Sequence, residues 1–404
     1  MASTYRELLA VPGARLFVAA GLVGRMSMAM EGIGIVLLVS AVTGSYGIAG
    51  AVSATLALAF AAGAPLTARL ADRYGQHRVL VPVVLVNTTG YTLLIVCAQA
   101  RLPVWTLFAA AAVAGLTQVS LGAWVRARWS YLLRDTPARI GAAYSFESVV
   151  DETIFITGPM LVTALSTGVH PAAGIAAAAS FTLVGCLAMA WLRDTEPPPR
   201  PREPGAGGGS VLRNPGVLVM SPVFLMLGMV FGSIDVSGVA FAEEEGHKAL
   251  AGVLIGCYAL GSGAAALWYG ARHWRSPLSR RFLIGLGLLV VGLVPPVLIG
   301  NLYLMMSVVF FSGLAISPTI IPGFGLVERL VPAAQLTEGL ALVSTAVGIG
   351  VALGSSLSGR VVDAEGAHTA FLVPLACAVV AAVIGLAGAR SLRKRELSSQ
   401  SSAE

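Results

Sequence analysis

The chain has 404 residues, of which 56% are hydrophobic and only 11% charged, against roughly 25% charged residues in a soluble domain. No water-soluble fold of this size can hide so much apolar surface, so a bilayer must be the solvent for most of it. The net charge of +6 comes from basic residues scattered through short loops, which speaks against a nucleic-acid surface and fits the bias of membrane proteins towards basic residues on the cytoplasmic side.

Twelve apolar stretches follow one another, at 16–40, 46–68, 79–99, 104–126, 141–165, 172–192, 217–241, 249–270, 282–300, 302–327, 339–359 and 370–390. Each is close to the ~20 residues that cross a hydrocarbon core as a helix. Gly44, Pro103, Pro137 and Pro332 mark breaks between them. The first stretch has no small-residue cleavage site and reads as a retained span, not a signal. If both termini are cytoplasmic, twenty-two basic residues fall on the inner side and three (Arg101, Lys248 and Arg360) on the outer. That asymmetry predicts a multi-pass protein of the cell membrane with both ends inside. Trp124, Trp129, Trp191, Trp268 and Trp274 read as an inner aromatic belt, with Trp105 at the outer side.

The segment RDTEPPPRPREPGAGGGS is rich first in Pro, then in Gly, and divides the spans six and six. It predicts an N-terminal six-helix bundle over 1–192, a cytoplasmic linker over 193–213, a C-terminal bundle over 214–392 and a tail over 393–404. Tyr74-Gly75 recurs as Tyr269-Gly270, and Ser148 and Gly158 recur as Ser344 and Gly354. The expected fold is therefore all-α: twelve transmembrane helices in two pseudo-symmetric six-helix bundles.

Charged residues stand inside these apolar stretches: Arg25 and Glu31 in the first, Glu147, Asp151 and Glu152 in the fifth, and Asp235 in the seventh. A charge at mid-bilayer costs about 2.5–3.5 kcal/mol on insertion scales, so these groups must face one another or a polar cavity. At 1.5 Å per residue, Arg25 lies about 14 Å along its span, and Asp151 and Glu152 about 15 and 17 Å along theirs. The depths predict a pairing of Arg25 with Asp151 or Glu152. Those two acids point about 100° apart, so at least one acid lacks that partner. Two readings stay open: a static ion pair locking helices, or an acid that carries a proton. The equivalent positions in span eleven are Val343, Val347 and Gly348, so the charge is not a symmetric scaffold. Gln118 and Ser120 in span four, and Ser317 and Thr319 in span ten, could orient a ligand or bond their own backbone. Pro159, Pro318 and Pro322 loosen their helices. Gly350 and Gly354 form a face for close helix approach.

The sequence carries no HExxH, GxSxG or P-loop, and its four cysteines show no CxxC spacing. An enzyme, a metal site and a cofactor are therefore not expected.

After span two the chain reads ARLADRYGQHR, from Ala68 to Arg78. This resembles motif A of the major facilitator superfamily, and departs from it at Ala68, Gln76 and His77. The resemblance implies that Asp72, with Arg73, Gly75 and Arg78, latches the cytoplasmic side by approaching the N-terminus of span eleven, near Thr337-Glu338-Gly339. Gly158-Pro159 resembles the core of motif C, which marks proton-coupled exporters, although the flanking glycines are absent. The intramembrane arginine of motif B is expected to be missing from span four. In this superfamily spans one, four, seven and ten line the central cavity, which would place Glu31 and Asp235 on opposite walls. The resemblance is to the bacterial drug/metabolite:proton antiporter branch. It implies proton-coupled efflux of a small amphipathic or cationic compound by alternating access. The alternative is a symporter or facilitator importing a sugar, amino acid or organic ion. The expected partners are the substrate, protons and the lipid bilayer, without nucleic acid, and the expected state is a monomer.

Overall fold

The computed structural model describes residues 6–136, 139–199, 215–270, 272, 274, 276–330 and 336–401. Pro137, Pro332, most of the expected linker and the last three residues of the tail lie outside the described residues. Every described element is helical, as the bilayer demands, because a backbone in hydrocarbon must satisfy its own hydrogen bonds. Twelve helices are long and apolar enough to cross a membrane. Spans one to six are Ala14–Thr43, Tyr46–Tyr74, Gln76–Gln99, Trp105–Leu132, Ala142–Gly168 and Ala173–Trp191. Spans seven to twelve are Gly216–Glu244, Lys248–Gly270, Leu278–Leu298, Leu302–Leu330, Leu342–Glu365 and Ala367–Ala389. The last helix continues to Ser401, so the expected tail is helical up to that residue.

Span four differs most from expectation. Its helix runs to Leu132 instead of ending at 126, which puts Arg126 and Arg128 on the helix and not in a loop. Both guanidinium groups find partners there, so the charge does not mark a helix end. Trp124 and Trp129 are buried, not part of a belt, whereas Trp105, Trp191 and Trp268 are exposed.

Spans four and ten are interrupted near their middle. Span four is helical over Trp105–Leu116 and again over Leu121–Leu132. Span ten is helical over Leu302–Gly313 and again over Ile316–Leu330. In span ten, Pro318 falls in the first turn of the second half, where its missing N–H removes no helical bond. Span four breaks without proline. There the backbones of spans two and four meet: a Cβ on Gly63 would overlap the Leu116 carbonyl, and one on Gly115 would overlap that of Leu56.

Contacts divide the chain into two units, Met1–Gly44 with Thr55–Pro204, and Ser45–Ala54 with Gly205–Glu404. In the first, span one packs along spans five and six, with Gly24 and Gly185 backbone to backbone. A core around Phe17, Trp124, Trp129 and Met189 fills one end of it. In the second, span seven runs against span eleven. Gly350 and Gly354 face the carbonyls of Leu225 and Met229 at distances that leave no room for a Cβ. The first residues of span two belong to this second unit. Asp363, near the end of span eleven, accepts from Ser45 Oγ at 2.5 Å and from the backbone N–H groups of Tyr46 and Gly47 at 2.7 and 2.8 Å. These are donors that a helix start leaves open, and its positive end favours the carboxylate.

Candidate functional site

The densest polar cluster lies within the first unit. The Arg25 guanidinium, 2% exposed, donates through Nη2 to Glu147 Oε2 at 2.6 Å and through Nη1 to Asp151 Oδ1 at 2.8 Å. Its Nε bonds back to the Gly21 carbonyl at 3.0 Å. Glu147 and Asp151 are four apart on one helical face, so a single guanidinium reaches both. Sequence reasoning missed the fourth member. Arg126 of span four donates to Asp151 Oδ2 at 2.7 Å. The missed signal was spacing: Arg126 lies one turn beyond Gly122 on a helix that continues through it. Gly122 supplies the space, since a Cβ there would meet Arg126 Nη1 at 3.2 Å and Arg25 Cδ at 3.5 Å.

The two acids have different surroundings. Glu147 is fully buried; its second oxygen accepts from Trp129 Nε1 at 2.7 Å, and that indole is itself buried against Phe17, ring centroids 4.9 Å apart. Asp151 bridges two arginines and its side chain is 22% exposed. Glu152, the next residue, is half-buried and makes no hydrogen bond or ion pair among the described residues. The cluster thus has a sealed end at Glu147 and an accessible end at Asp151 and Arg126.

Glu31 forms a second buried cluster. It accepts hydrogen bonds from Tyr91 of span three and from Gln118, which lies in the break of span four. Tyr91, fully buried, was not legible as a partner because aromatic residues in apolar spans usually only pack. Asp235 has no hydrogen bond or ion pair among the described residues. The buried hydroxyl of Tyr258, within its electrostatic reach, also lacks a partner. Ser317 is engaged locally, donating to the Ser262 carbonyl at 2.8 Å, and Thr319 bonds Ala315 at 2.7 Å.

Gly158 packs on Ala29 of span one, so the Gly158-Pro159 pair sits on the same span-one–span-five seam as the charge cluster. In the loop after span two, Gly75 adopts φ +91°, a conformation that suits glycine. Asp72, Arg73 and Arg78 are exposed, and Asp72 has no hydrogen bond or ion pair among the described residues. The side chains of 331–338, where the expected latch would engage, lie outside the described residues. A carboxylate set on a helix start is found with Asp363 and span two.

The departures at Gln76 and His77 have a structural reason. Buried Arg128 donates to Gln76 Oε1 at 2.9 Å, to Thr195 Oγ1 at 2.7 Å, and to the carbonyls of Leu192 and Met189 at 2.6 and 2.8 Å. His77 Nδ1 lies 2.8 Å from Glu196 Oε2. A basic residue at 76 would meet the Arg128 guanidinium, so this chain uses a neutral acceptor. Gln76→Leu should leave Arg128 short of one acceptor and lower stability by about 1–3 kcal/mol, read as an earlier thermal unfolding transition in detergent.

Among curated proteins no relative matches the sequence. Solved structures do match. A POT family transporter, PepTSo, superposes with TM-score 0.73 at 11% identity, over 95% of this chain and 99% of that one. The nucleoside transporter NupG gives 0.67 at 15%, over 92% and 98%. A bacterial homologue of the iron transporter ferroportin gives 0.69 at 16%, over 92% and 98%. At these identities the likeness concerns the fold. The sequence profile of the Major Facilitator Superfamily matches residues 17–275 and again 239–403. With a profile match across both halves and twelve membrane-length helices, the chain belongs to the Major Facilitator Superfamily and is a multi-pass membrane transporter.

Proposed function

We propose that the chain is a secondary transporter that exports a small amphipathic or cationic compound in exchange for protons, with Asp151 as the carrier acid. The observation that carries this reading is the asymmetry of the buried cluster. Two arginines and two acids balance when all are ionised. Glu147 is sealed and held by an indole and a guanidinium, so it is the anchor. Asp151 is at the accessible edge and holds two arginines at once. A proton on Asp151 releases Arg126 and frees half of Arg25. A bound cation would do the same by competing for the carboxylate, which makes proton and substrate alternative occupants. Glu31 with Gln118, together with Asp235, supplies the further acids that favour a cationic ligand. Glu152 extends the negative side of the same cluster.

Export is favoured by the resemblance of Gly158-Pro159 to motif C and by its place on the seam that the charges lock. The similar solved structures are named for peptides, nucleosides and iron, so the fold itself selects no substrate. The bundles over 1–192 and 214–392, joined through 193–213, are the bodies that would alternate. Asp72, Arg73, Gly75 and Arg78 would form the inner latch. The protein works as a monomer in the cell membrane with both ends cytoplasmic; removing Arg126 and Arg128 from the loop tally leaves the basic bias strongly inward.

The test is uptake of a cationic fluorophore into everted vesicles. Acidifying the lumen should drive accumulation. Asp151→Asn should abolish gradient-driven accumulation while preserving exchange of labelled for unlabelled fluorophore. Glu31→Gln should weaken ligand protection in a thermal-shift screen. Accumulation that needs the opposite gradient would identify an importer, and Asp151→Asn with undiminished coupling would remove Asp151 from the mechanism.

A further inference from the structure

The ends of spans eight and nine carry a second cationic feature, unconnected to the transport cluster. No acidic residue occurs between Glu245 and Glu328. In that stretch Trp274 stacks on Tyr269, ring centroids 4.7 Å apart, and meets Trp268 edge-on at 5.5 Å. The Trp274 Nε1 donates to the Tyr269 carbonyl at 2.9 Å, which fixes the indole. The Arg272 guanidinium lies 5.5 Å from the Trp268 ring and 5.4 Å from Trp274. The Arg281 guanidinium lies 5.6 Å from both Tyr269 and Trp274 and donates to the Tyr269 hydroxyl at 2.8 Å.

Neither arginine has a carboxylate partner among the described residues. Arg281 Nε is buried without a hydrogen-bond partner, although its aromatic setting holds the group in place. Aromatic faces orient guanidinium groups and offset part of their desolvation, and here they leave the Arg272 N–H fork and the Arg281 Nη2 to an anion. Donors of both arginines, held by one aromatic stack, match the oxygens of a phosphate. The neighbouring surface says which phosphate. Leu267 and Trp268 are 69% and 53% exposed, and on the adjoining span Ile284 and Leu288 are 53% and 51% exposed. In a membrane-spanning helix such exposed apolar side chains meet acyl chains.

We propose that Arg272 and Arg281 bind the phosphate of an anionic phospholipid, whose chains lie along Leu267, Ile284 and Leu288. The site fixes one lipid at the interfacial end of spans eight and nine.

The full-length protein in a neutral detergent should be titrated with phosphatidylglycerol, with phosphatidylcholine and with inorganic phosphate, reading bound lipid by native mass spectrometry. Phosphatidylglycerol should bind in preference to phosphatidylcholine, and millimolar inorganic phosphate should not displace it. Arg272→Gln with Arg281→Gln should lower phosphatidylglycerol affinity roughly thirty-fold, from about fivefold per arginine. Arg272 makes no side-chain hydrogen bond among the described residues, so Arg272→Gln alone keeps the fold and should still show a several-fold loss. Equal binding of the two lipids, or an Arg272→Gln variant with parental affinity, overturns the proposal. Displacement by inorganic phosphate would show an anion site that does not select lipid, and would overturn it as well.

Discussion

Arg25→Ala is expected to destabilise the first unit by about 3–5 kcal/mol, the range seen when one partner of a buried pair is removed and the other charge is stranded. The magnitude follows from what is left behind. Glu147 keeps only its bond from Trp129 Nε1 and has no solvent to accept its charge. Asp151 suffers less, because Arg126 still holds its other oxygen at 2.7 Å. The loss should therefore fall mainly on Glu147, and a second substitution can isolate it. Arg25→Met with Glu147→Met removes the pair together and leaves Asp151 with Arg126, so most of the stability should return. Thermal unfolding followed by tryptophan fluorescence suits the purpose, since Trp129 touches the site. An Arg25→Ala protein as stable as the parent would show that the buried pair contributes nothing to the unit.

The same double variant separates scaffolding from coupling. If the charges only lock helices, restoring stability restores transport. If Asp151 exchanges a proton against the arginines, the double variant folds and binds its ligand but responds more weakly to a proton gradient, because only Arg126 is left to be released. The geometry favours the second outcome, because Asp151 is the one acid of the cluster shared between two spans' arginines and partly open to its surroundings.

Much of this was legible in the sequence, and for physical reasons. The span count follows from the cost of unsatisfied backbone in oil, and the depth match of Arg25 with Asp151 follows from a fixed rise per residue. What could not be read was the partner of a charge near a span end, where nothing in the sequence says that the helix continues. Arg126 and Arg128 look like the end of a span, because an arginine in isolation belongs in water. Only the folded chain brings Asp151 to one, and Gln76 with three oxygens of the 189–195 segment to the other. Tyr91 was invisible for the converse reason: as a residue it is apolar enough to pass for packing, and its hydroxyl matters only beside Glu31. The break in span four was missed because it comes from backbone crowding by span two, with no proline to announce it. The Gly350–Gly354 face was readable because small residues at four-residue spacing have few other uses in a membrane helix.

Gly354→Val should be the most damaging change in the second unit. Span seven and span eleven meet backbone to backbone: Gly228 and Gly232 face the carbonyls of Val347 and Val351, while Gly350 and Gly354 face those of Leu225 and Met229. Four hydrogen bonds depend on that closeness. Ser233 donates to the Gly354 carbonyl at 3.2 Å, Ser355 donates to that of Gly232 at 3.1 Å, Ser358 donates to that of Ser233 at 3.3 Å, and Ser237 pairs with Ser358 at 2.6 Å. A valine at 354 forces the helices apart because the obstacle is main chain and cannot rotate away. Overpacking alone costs about 1–3 kcal/mol, and each interhelical hydrogen bond lost in the membrane adds about 0.6 kcal/mol, so a total of about 3–5 kcal/mol is expected. Gly287→Ala is the control, since a Cβ there meets nothing, and it should leave stability unchanged or slightly raised through helix propensity. The corresponding seam of the first unit is held by Arg25 against Asp151, and the equivalent of Asp151 in span eleven is Val347, whose carbonyl lies on Gly228. The span-one–span-five seam therefore adds charge to its close contacts, whereas the span-seven–span-eleven seam relies on close packing and serine hydrogen bonds. Arg25 variants should respond to removal of the partner charge, whereas Gly354 variants should scale with side-chain volume, Ala before Val. Equal stability of Gly354→Val and Gly287→Ala would mean that spans seven and eleven do not approach as closely as the glycines require.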